Sequence, residues 1–557
     1  MKFKEIPYYR LNFKEFEKDY KNKVENFKAA ESFQEAYFNL IEIDHLQTVF
    51  TSYATISEAG NTGDTRNKFF QEEEIFFNEV KPLFALLIQE KNMAMLESPF
   101  RKKLEELMGQ EFFNRLELSS QTMDKKIENL MKEENEFSQE FSNTISQIEV
   151  IDSGKRLSVS EASKLGNSKD REIRKKYNIL VETVMKKNGP KFDYLFDEMM
   201  KRRNKIAHKM NFESYTDFCY CLRGRTGYKR KEINYFTKEV EDKLVPLVNQ
   251  IYKNQAKKMN LEKIYVYDEN FEPNKDVEIK ENPLKAFKKI FTKLSPETKV
   301  FYDELLAKES YDLDLRPGKI NGGYSNYLGF YSFPYIFETY NSTQGAVRTF
   351  AHECGHGLNS FLHRGEPLKD AVDASSDVCE THSMSMEFFV WPYLGEIVKE
   401  ETLDNYKYNH LKNAISFIPY GTAINEFQTI VYDNPDYSCD KRREVWKELE
   451  KRFLPWRNYE KDLFSDEGRI WQRQMHVMKW PFYYIDYVLA QTVALQFWML
   501  DENDHELAWN TYLEFIHNSG KYSFTETVEK AGLKSPFEVG FIEDLQKSIK
   551  KRMENYE

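Results

Sequence analysis

Hydrophobic side chains recur every three or four residues over long stretches of the chain. The segments 15–43 and 71–97 carry aromatic and aliphatic residues at this spacing, with charged residues between them. This period places the apolar side chains on one face of an α-helix. Only 22 glycines and 17 prolines punctuate 557 residues. We therefore expect a mainly helical protein with long helices and short connections.

The pattern changes at residues 315–342, which are rich in glycine, tyrosine and phenylalanine. Runs such as 335–340 carry β-branched and aromatic residues between turn formers, which is typical of strands. We expect one small sheet directly before residue 343. Turn-forming residues at Ser153-Gly154, Asn188-Gly189-Pro190 and 268–273 are candidate boundaries. From these we divide the chain into an N-terminal helical lobe, 1–190, and a second region, 191–557.

Charge and composition exclude several classes of protein. Eighty basic and 91 acidic side chains give a net charge of −11, whereas a dedicated nucleic-acid binder normally carries a basic excess. No apolar run approaches the ~18 residues of a membrane-spanning helix, and the first 20 residues lack the apolar core of a secretory leader. Five cysteines are too few for a disulfide framework. We expect a cytoplasmic protein without nucleic-acid or membrane partners.

The strongest candidate chemistry lies in the predicted helix at 343–365. His352 and His356 are four residues apart, so they project from nearly the same side of a helix and can share one metal ion. Glu353 can reach a water molecule at that metal without binding the metal itself. Random composition predicts roughly 0.03 matches to a His-acid-x-x-His pattern in such a chain. The motif alone therefore leaves open two unrelated histidines on a surface helix.

A third ligand is expected because catalytic zinc takes three protein ligands and leaves one position for water. Glu380 lies 24 residues after His356, in a second predicted helix within 373–392. Asp377 and Glu387 lie on or near the same face of this otherwise apolar helix. Buried carboxylates need partners, and hydrogen bonds to the imidazole N–H groups would provide them. Alternatively, Asp377 or Glu387 simply faces solvent.

Several motifs together resemble one family of enzymes. They are His352-Glu353-x-x-His356 with Glu380, the run after Glu380 that ends at Glu387, the glycine-rich run 321–325, the segment 225–247 and the segment 476–487. The chain resembles the thimet-oligopeptidase and oligoendopeptidase F family of zinc peptidases, most closely its oligoendopeptidase F and Pz-peptidase branch. The resemblance is strong from about residue 200 onward and loose before it. Cys354 departs from the family, which more often has a bulky apolar residue there.

The resemblance implies a fold and a cofactor. The expected fold is a mainly α, two-lobed, clam-like structure that encloses a deep substrate channel, with one small β-sheet next to the zinc-binding helix. Residues 191–557 would be the catalytic zinc metallopeptidase domain. One Zn²⁺ per chain would be bound by His352, His356 and Glu380, with Glu353 as general base.

The resemblance also implies residues that contact the substrate. Tyr487 would donate a hydrogen bond to the oxyanion that forms when water attacks the peptide carbonyl. Tyr484 and His476 would position the substrate. Tyr484 and Tyr487 are three residues apart and share a helix face. The segment 333–340 is expected to run beside the bound peptide as an edge strand. The glycine-rich run, with Gly322, Gly323 and Tyr324, would either close over the substrate or form an ordinary tight turn.

The implied function is a zinc-dependent oligoendopeptidase, a cytoplasmic metalloendopeptidase that cleaves internal bonds of short unstructured peptides. A zinc carboxypeptidase is a first alternative, but the sequence does not reveal a cation that would bind the terminal carboxylate. A second alternative is a non-catalytic helical peptide-binding protein, which is disfavoured because a binding site has no use for Glu353. The sequence does not indicate which oligomeric state the protein has.

Overall fold

The protein is mainly helical, as predicted. A computed structural model describes residues 1–273, 275–280 and 282–554. The α-helices in chain order are α1 Phe13–Lys28, α2 Phe33–Gly63, α3 Lys68–Leu96, α4 Arg101–Met108, α5 Gln110–Ser120, α6 Glu128–Ser146, α7 Val159–Leu165, α8 Arg171–Lys209, α9 Tyr215–Leu222, α10 Arg230–Glu239, α11 Val245–Lys258, α12 Pro283–Leu294, α13 Pro296–Lys308, α14 Gln344–Leu362, α15 Ser376–Phe389, α16 Leu403–Asp433, α17 Cys439–Phe453, α18 Met475–Met478, α19 Tyr484–Asp501, α20 His505–Asn518, α21 Phe524–Lys530 and α22 Phe541–Met553.

Two compact units divide the chain, and each gathers three segments. The first unit contains Met1–Ser120, Val277–Tyr406 and Ala490–Ser535, and the second contains Gln121–Asp276, Lys407–Leu489 and Pro536–Glu557. The predicted division between 190 and 191 falls inside α8, because Pro190 lies within that helix without ending it. That division coincides with no border of either unit and stays a prediction. Single turn signals do not reveal units assembled from distant segments.

The N-terminal helices form a core of their own in the first unit. Helices α1 to α5 bury a cluster of phenylalanine, leucine and methionine side chains, among them Phe16, Phe50 and Phe84. The periodic segment 15–43 is two helices rather than one, because the chain breaks after α1 and Ser32 caps α2 by accepting the Glu35 N–H at 3.2 Å. Periodicity therefore predicted the helices, and a polar cap set the boundary between them.

A three-stranded sheet precedes α14, as predicted. Its strands are β3 Tyr311–Asp312, β4 Gly323–Leu328 and β5 Phe333–Glu338, in the order β3-β5-β4, with β4 antiparallel and β3 parallel to β5. The expectation that 333–340 supplies an edge strand is wrong, since β5 is paired on both sides. Strand order depends on a distant segment, β3, which no local pattern reveals. Among the described strands of this sheet, β4 is the longer one at an edge.

The two faces of the sheet have different roles. Tyr335 and Phe337 of β5 pack with Ile56 and Ala59 of α2. Because side chains alternate along a strand, Ile336 and Glu338 lie on the opposite face. There a β-carbon on Gly357 of α14 would lie 3.5 Å from the Ile336 side chain. The sheet is thus held between α2 and the helix that carries the two histidines.

A second, two-stranded sheet in the second unit was not predicted. Strands β1 Glu149–Asp152 and β2 Lys155–Ser158 are antiparallel and joined by Ser153-Gly154. Both turn residues have positive φ, 51° and 85°, which is typical of a two-residue hairpin turn. The Ser-Gly signal was thus a hairpin turn and not a boundary. In the part of the chain that the structure describes, no helix is both long and apolar enough to cross a bilayer.

Candidate active site

Helix α14 carries both histidines and begins where the sequence predicts. Thr343 is the N-cap, and its hydroxyl accepts the Ala346 N–H at 3.2 Å. Val347, Phe350 and Leu358 are fully buried and form the apolar stripe that fixes the rotation of the helix. His352 and His356 then point away from that stripe and keep about one fifth of their side chains exposed, 19% and 24%. The helix thus presents two imidazoles that remain accessible to a ligand.

Helix α15 approaches α14 so closely that one position between them has room only for glycine. A β-carbon on Gly355 would lie 2.7 Å from the Ser383 Cα atom and 2.9 Å from the His382 carbonyl oxygen. Real side chains do not tolerate such contacts. Gly355 therefore lets the two helix backbones touch, which brings Glu380 to the histidines. This glycine has no role predicted from the sequence, although it lies inside the motif.

The structure brings His352, His356 and Glu380 together, and their ligand atoms all lie within 4.8 Å of one another. The Glu380 Oε2 atom is 3.4 Å from His352 Nε2 and 3.6 Å from His356 Nε2. Ligand atoms on a tetrahedral ion with ~2.1 Å bonds are about 3.4 Å apart. Two imidazole nitrogens and one carboxylate oxygen at this spacing fit a cation of the size and preference of zinc.

The charge of Glu380 also suits a cation. Burial alone would raise the pKa of this carboxyl, but hydrogen bonds and charges of His352 and His356 outweigh burial and hold the pKa below its usual value. Conversely, burial would lower the pKa of His352, while its hydrogen bonds with Glu380 and Glu387 raise it. The site therefore carries an ionised carboxylate and favours a positive charge beside it.

Glu387 takes the position predicted for an imidazole partner. Its Oε1 atom is 2.7 Å from His352 Nδ1, so the other ring nitrogen, Nε2, is directed toward Glu380. The Arg348 Nε atom lies 3.8 Å from the second Glu387 oxygen and balances its charge. Such a contact sets the orientation and tautomer of a ligating histidine. Glu387 is buried, so the solvent-facing alternative does not hold for it.

Asp377 is also buried, and its described hydrogen bonds lie at the first turn of α15. The carboxylate accepts the Ser375 hydroxyl at 2.5 Å and the Val378 N–H at 2.9 Å. It therefore lies at the positive end of the helix that carries Glu380, where a negative charge is favourable. The solvent-facing alternative is thus excluded for Asp377 as well. Its predicted contact with an imidazole stays a prediction.

Glu353 lies beside the three ligand atoms and is 7% exposed. Burial raises its pKa, and the charges of His352 and His356 offset only part of that rise. A base with a raised pKa is better matched to proton transfer near neutral pH. The Gly323 backbone of β4 passes close to it, since a β-carbon on Gly323 would lie 3.2 Å from Glu353 Oε1. Glycine at this position leaves space in front of the carboxylate.

A second buried carboxyl, Glu338, was missed by the sequence analysis. It ends β5 opposite Gly323 and is 3% exposed. Burial and the nearby Glu353 charge raise the pKa of Glu338 to about 9, although Lys319 partly opposes the rise. The carboxyl is therefore protonated at neutral pH. The only signal in the sequence was one acidic residue at an apolar strand position.

The glycine-rich run is partly a turn and partly a strand. Gly322 has φ of 128°, a conformation that favours glycine, and has open space where a side chain would be. Gly323 and Tyr324 already belong to β4. The Tyr324 ring stacks on Phe337 at 4.8 Å, and its hydroxyl is 2.7 Å from that of Thr62. The contacts of the Tyr324 side chain are thus with the protein, and binding of substrate by these residues stays a prediction.

The aromatic segment, residues 476–487, lies in the second unit. Tyr484 and Tyr487 share a face of α19, with ring centroids 6.1 Å apart. The His476 ring, in α18, lies 4.8 Å from the Tyr484 ring and 5.7 Å from the Tyr487 ring. Gln474 contacts His476 Nδ1 at 3.0 Å. The three residues predicted to contact substrate therefore form one cluster.

A buried ion pair fixes this segment. Arg225 pairs with Asp486 at 2.6 Å and also donates to the Phe482 carbonyl oxygen. Phe482, whose φ is 61°, receives a second constraint because its N–H donates to Gln428 Oε1 at 2.9 Å. The unusual backbone at Phe482 is thus held by hydrogen bonds on both sides and starts α19 in one fixed direction. Arg225 had no predicted role beyond its place in the segment 225–247.

Two other histidines that lie close to the motif in sequence have different contacts. His363 Nδ1 contacts the Asn359 carbonyl oxygen at 3.0 Å, and His382 Nε2 contacts the Ser519 hydroxyl at 2.8 Å. Burial lowers the pKa of both. Both rings are therefore neutral structural groups. Cys354 is fully buried, and burial raises the pKa of its thiol, so it acts as a small apolar residue.

Two family profiles match the chain. The profile described as Peptidase M3 N-terminal domain matches residues 3–123, and the profile described as Peptidase family M3 matches residues 165–547. Together they cover most of the sequence, including every candidate residue named above. The second profile alone spans well over half of the chain.

Individual relatives agree with these profiles. The chain is 24% identical over 324 residues to oligopeptidase PepF of Bacillus subtilis (54% of this chain, 46% of that protein). It is 25% identical over 374 residues to an oligoendopeptidase F homolog of Borreliella burgdorferi (63% and 60%). The matches thus span about half to three fifths of these curated relatives. The structure of Pz peptidase A with inhibitor 2 superposes with a TM-score of 0.93, at 32% identity over 100% of this chain and 99% of that one.

Proposed function

Because the chain belongs to peptidase family M3, we propose that it is a zinc-dependent oligoendopeptidase that hydrolyses internal bonds of short peptides. One observation carries the proposal: the His352, His356 and Glu380 ligand atoms converge within 4.8 Å while a fourth side chain, Glu353, lies beside them. Relatives named oligopeptidase and oligoendopeptidase support the substrate class.

The candidate site residues on helices α14 and α15 have distinct roles. When bound by His352, His356 and Glu380, zinc supplies Lewis-acid polarisation of the peptide carbonyl and a lowered pKa for water. Glu353 takes a proton from the attacking water on its carboxylate and delivers it to the leaving amine nitrogen. Its raised pKa suits this exchange, because the carboxyl must both accept and release a proton. Glu387 holds the His352 ring in the productive orientation.

The peptide substrate would bind along β4. This strand has a paired neighbour on one side, β5, and begins at Gly323, beside Glu353. Main-chain hydrogen bonds to an edge strand hold an extended peptide without selecting its side chains. Glycine at 322 and 323 leaves room for the backbone of the substrate near the base. This assigns to β4 the role that the sequence analysis had assigned to β5.

The aromatic segment is assigned by its resemblance to the family. The Tyr487 hydroxyl donates a hydrogen bond to the developing oxyanion, and His476 and Tyr484 position the substrate. Such donors typically contribute ~3–4 kcal/mol to transition-state stabilisation. The ion pair between Arg225 and Asp486 preorganises the segment. The five cysteines are free thiols, which suits our assignment of the enzyme to a reducing cytoplasm.

A metal-removal experiment tests the proposal. Chelator-treated protein should not cleave a fluorogenic peptide that is blocked at both ends, and added Zn²⁺ should restore cleavage. The His356→Ala variant should stay inactive after zinc addition, because one of its three ligands is missing. Full activity of metal-free protein would contradict the proposal.

The same assay separates the alternatives. A carboxypeptidase would cleave only the peptide with a free carboxyl terminus. A non-catalytic binding protein would bind zinc and both peptides, the one blocked at both ends and the one with a free carboxyl terminus, yet would release no product. Mass-spectrometric mapping of the cuts in a peptide library would then give the site preference.

A further inference from the structure

The connector between the two metal-binding helices, residues 363–375, is held by the N-terminal helices of the same unit. It follows α14, which carries His352 and His356, and precedes α15, which carries Glu380. Leu368 of the connector is 5% exposed and belongs to the hydrophobic cluster that α1 to α5 form. The connector is therefore anchored in the N-terminal core rather than exposed as a free loop.

Lys91 of α3 is the most unusual of the anchoring residues, because it is 3% exposed. Lysine is almost never buried to this degree unless it is paired. Its ammonium group donates to one carboxylate oxygen of Asp370 in the connector. The other oxygen accepts Gln47 Nε2 at 3.3 Å, and Gln47 in turn accepts the buried Tyr20 hydroxyl at 2.9 Å. Three helices, α1, α2 and α3, thus converge on one connector carboxylate.

Further bonds fix the backbone on both sides of Asp370. The Lys369 N–H donates to Asp44 Oδ1 of α2 at 2.8 Å, and Arg115 of α5 donates to the Asp373 carbonyl oxygen. The Lys369 ammonium group donates to carbonyl oxygens that follow α14, at Arg364 and Glu366, at 2.9 and 2.6 Å. Hydrogen bonds therefore hold the connector both near its beginning and near its end. No described hydrogen bond or ion pair joins these groups directly to the ligand atoms.

We infer that the N-terminal helices brace this connector and so set the distance between Glu380 and the two histidines, with Lys91 as the main positioning residue. Glu380 follows the connector by five residues, so a displaced connector moves its carboxylate. Metal–ligand distances depart from their usual values by only about 0.2 Å. The affinity for zinc is therefore a sensitive measure of the position of the Glu380 carboxylate. The inference rests on the proposed zinc site.

The test measures zinc affinity of the full chain by competition with a chromophoric chelator. Lys91→Met keeps most of the length of the side chain but removes the bond to Asp370. It should raise the zinc dissociation constant by about tenfold, which is comparable to loss of a group that orients a ligand. Asp370→Asn should act in the same direction. Its side chain is 32% exposed, so this variant is expected to fold even if Lys91→Met does not.

Lys412→Met is the matched control. Lys412 is 2% exposed and pairs with Glu272 in the second unit, so the variant removes an equally buried lysine that has no bond to the connector among its described contacts. It should leave zinc affinity unchanged. The double variant Lys91→Met/Asp370→Asn should bind zinc no more weakly than the weaker single variant, because both changes break one contact.

The outcomes separate the inference from the proposed function. Folded Lys91→Met and Asp370→Asn proteins that bind zinc as tightly as the unsubstituted chain would overturn the inference, even if their unfolding temperature is lower. If the unsubstituted chain binds zinc no more tightly than His356→Ala, the proposed zinc site itself is wrong. Weaker zinc binding in both single variants, with normal binding in Lys412→Met, supports the inference that the N-terminal helices hold the connector in place.

Discussion

The α14–α15 helix pair and the aromatic segment position their functional side chains by different means. In the helix pair, backbone contact at Gly355 and ion pairs with Glu380 and Glu387 position the imidazoles. In the aromatic segment, ring contacts among His476, Tyr484 and Tyr487 position the hydroxyls. The first arrangement depends on charge and on the spacing of two helices, whereas the second depends on apolar packing.

This difference determines what each region can do. Charged groups fixed by close backbones hold a cation and move protons, which demands distances precise to a fraction of an ångström. Tyrosine hydroxyls on a packed aromatic cluster donate hydrogen bonds without a formal charge. Substitutions that remove one functional group from each region, with the shape preserved, should therefore affect different steps. The following predictions are ordered by their expected effect on turnover.

Glu353→Gln should have the largest effect. The amide keeps the size of the side chain but cannot accept a proton, so kcat should fall by about 10²–10⁴-fold. Zinc content, measured by atomic emission on the same sample, should remain one per chain, because Glu353 is not among the three proposed ligands. Unchanged turnover would remove Glu353 from its role as the base, and loss of zinc would instead indicate a disturbed metal site.

Tyr487→Phe should have the next largest effect, and it tests the aromatic segment. The ring contacts remain while the hydroxyl is lost, so kcat should fall by about 10²–10³-fold with little change in KM. Tyr483→Phe is the matched control, since the centroid of the Tyr483 ring also lies 5.7 Å from that of the His476 ring. An effect confined to KM would make Tyr487 a substrate-binding contact. The aromatic segment would then act in substrate binding, whereas the helix pair acts in the chemical step.

Glu338→Gln should leave kcat nearly unchanged at neutral pH, because the native carboxyl is already neutral there. Its effect should appear in the pH dependence of stability. With a folded pKa of about 9 against an ordinary 4.5, the native state holds a proton that the unfolded state has released between these values. The free energy of unfolding should therefore fall as pH rises through this window, by at most about 1.4 kcal/mol per pH unit.

The glutamine variant lacks this titration, so its stability relative to the unsubstituted chain should increase from pH 5 to pH 9. Chemical denaturation at several pH values measures the difference. A flat difference for Glu338→Gln would mean that Glu338 is ionised in the folded protein, and the electrostatic account of the helix pair would need revision.

The convergence of the three candidate ligands was predictable from sequence because helical geometry is local. His352 and His356 four residues apart, followed by Glu380 on a second amphipathic helix, define a site with few alternatives. The roles of His476, Tyr484 and Tyr487 came only from resemblance, since aromatic packing leaves no fixed spacing in a chain with 34 tyrosines. Their clustering agrees with the assignment, and their chemistry stays a prediction.

Other features depended on tertiary contacts and could not be predicted. The central position of β5 depends on β3, which pairs with it from a distant segment. Glu338 had no partner pattern, because its neighbours Gly323 and Glu353 come from a strand and a helix that meet only in the fold. Lys91 and Asp370 are 279 residues apart, so their pairing leaves no local signal. The sequence thus indicated the candidate ligands but not the groups that surround them.

The absence of a side chain at position 355 limits how this centre could be transplanted into a designed scaffold. Two helices that merely cross at an ordinary separation would present the correct motif and still leave the carboxylate at 380 out of reach. A designer would have to begin from a backbone pair close enough for direct contact and add the ligands afterwards. In a library randomised at this position, glycine alone should survive selection for tight metal binding.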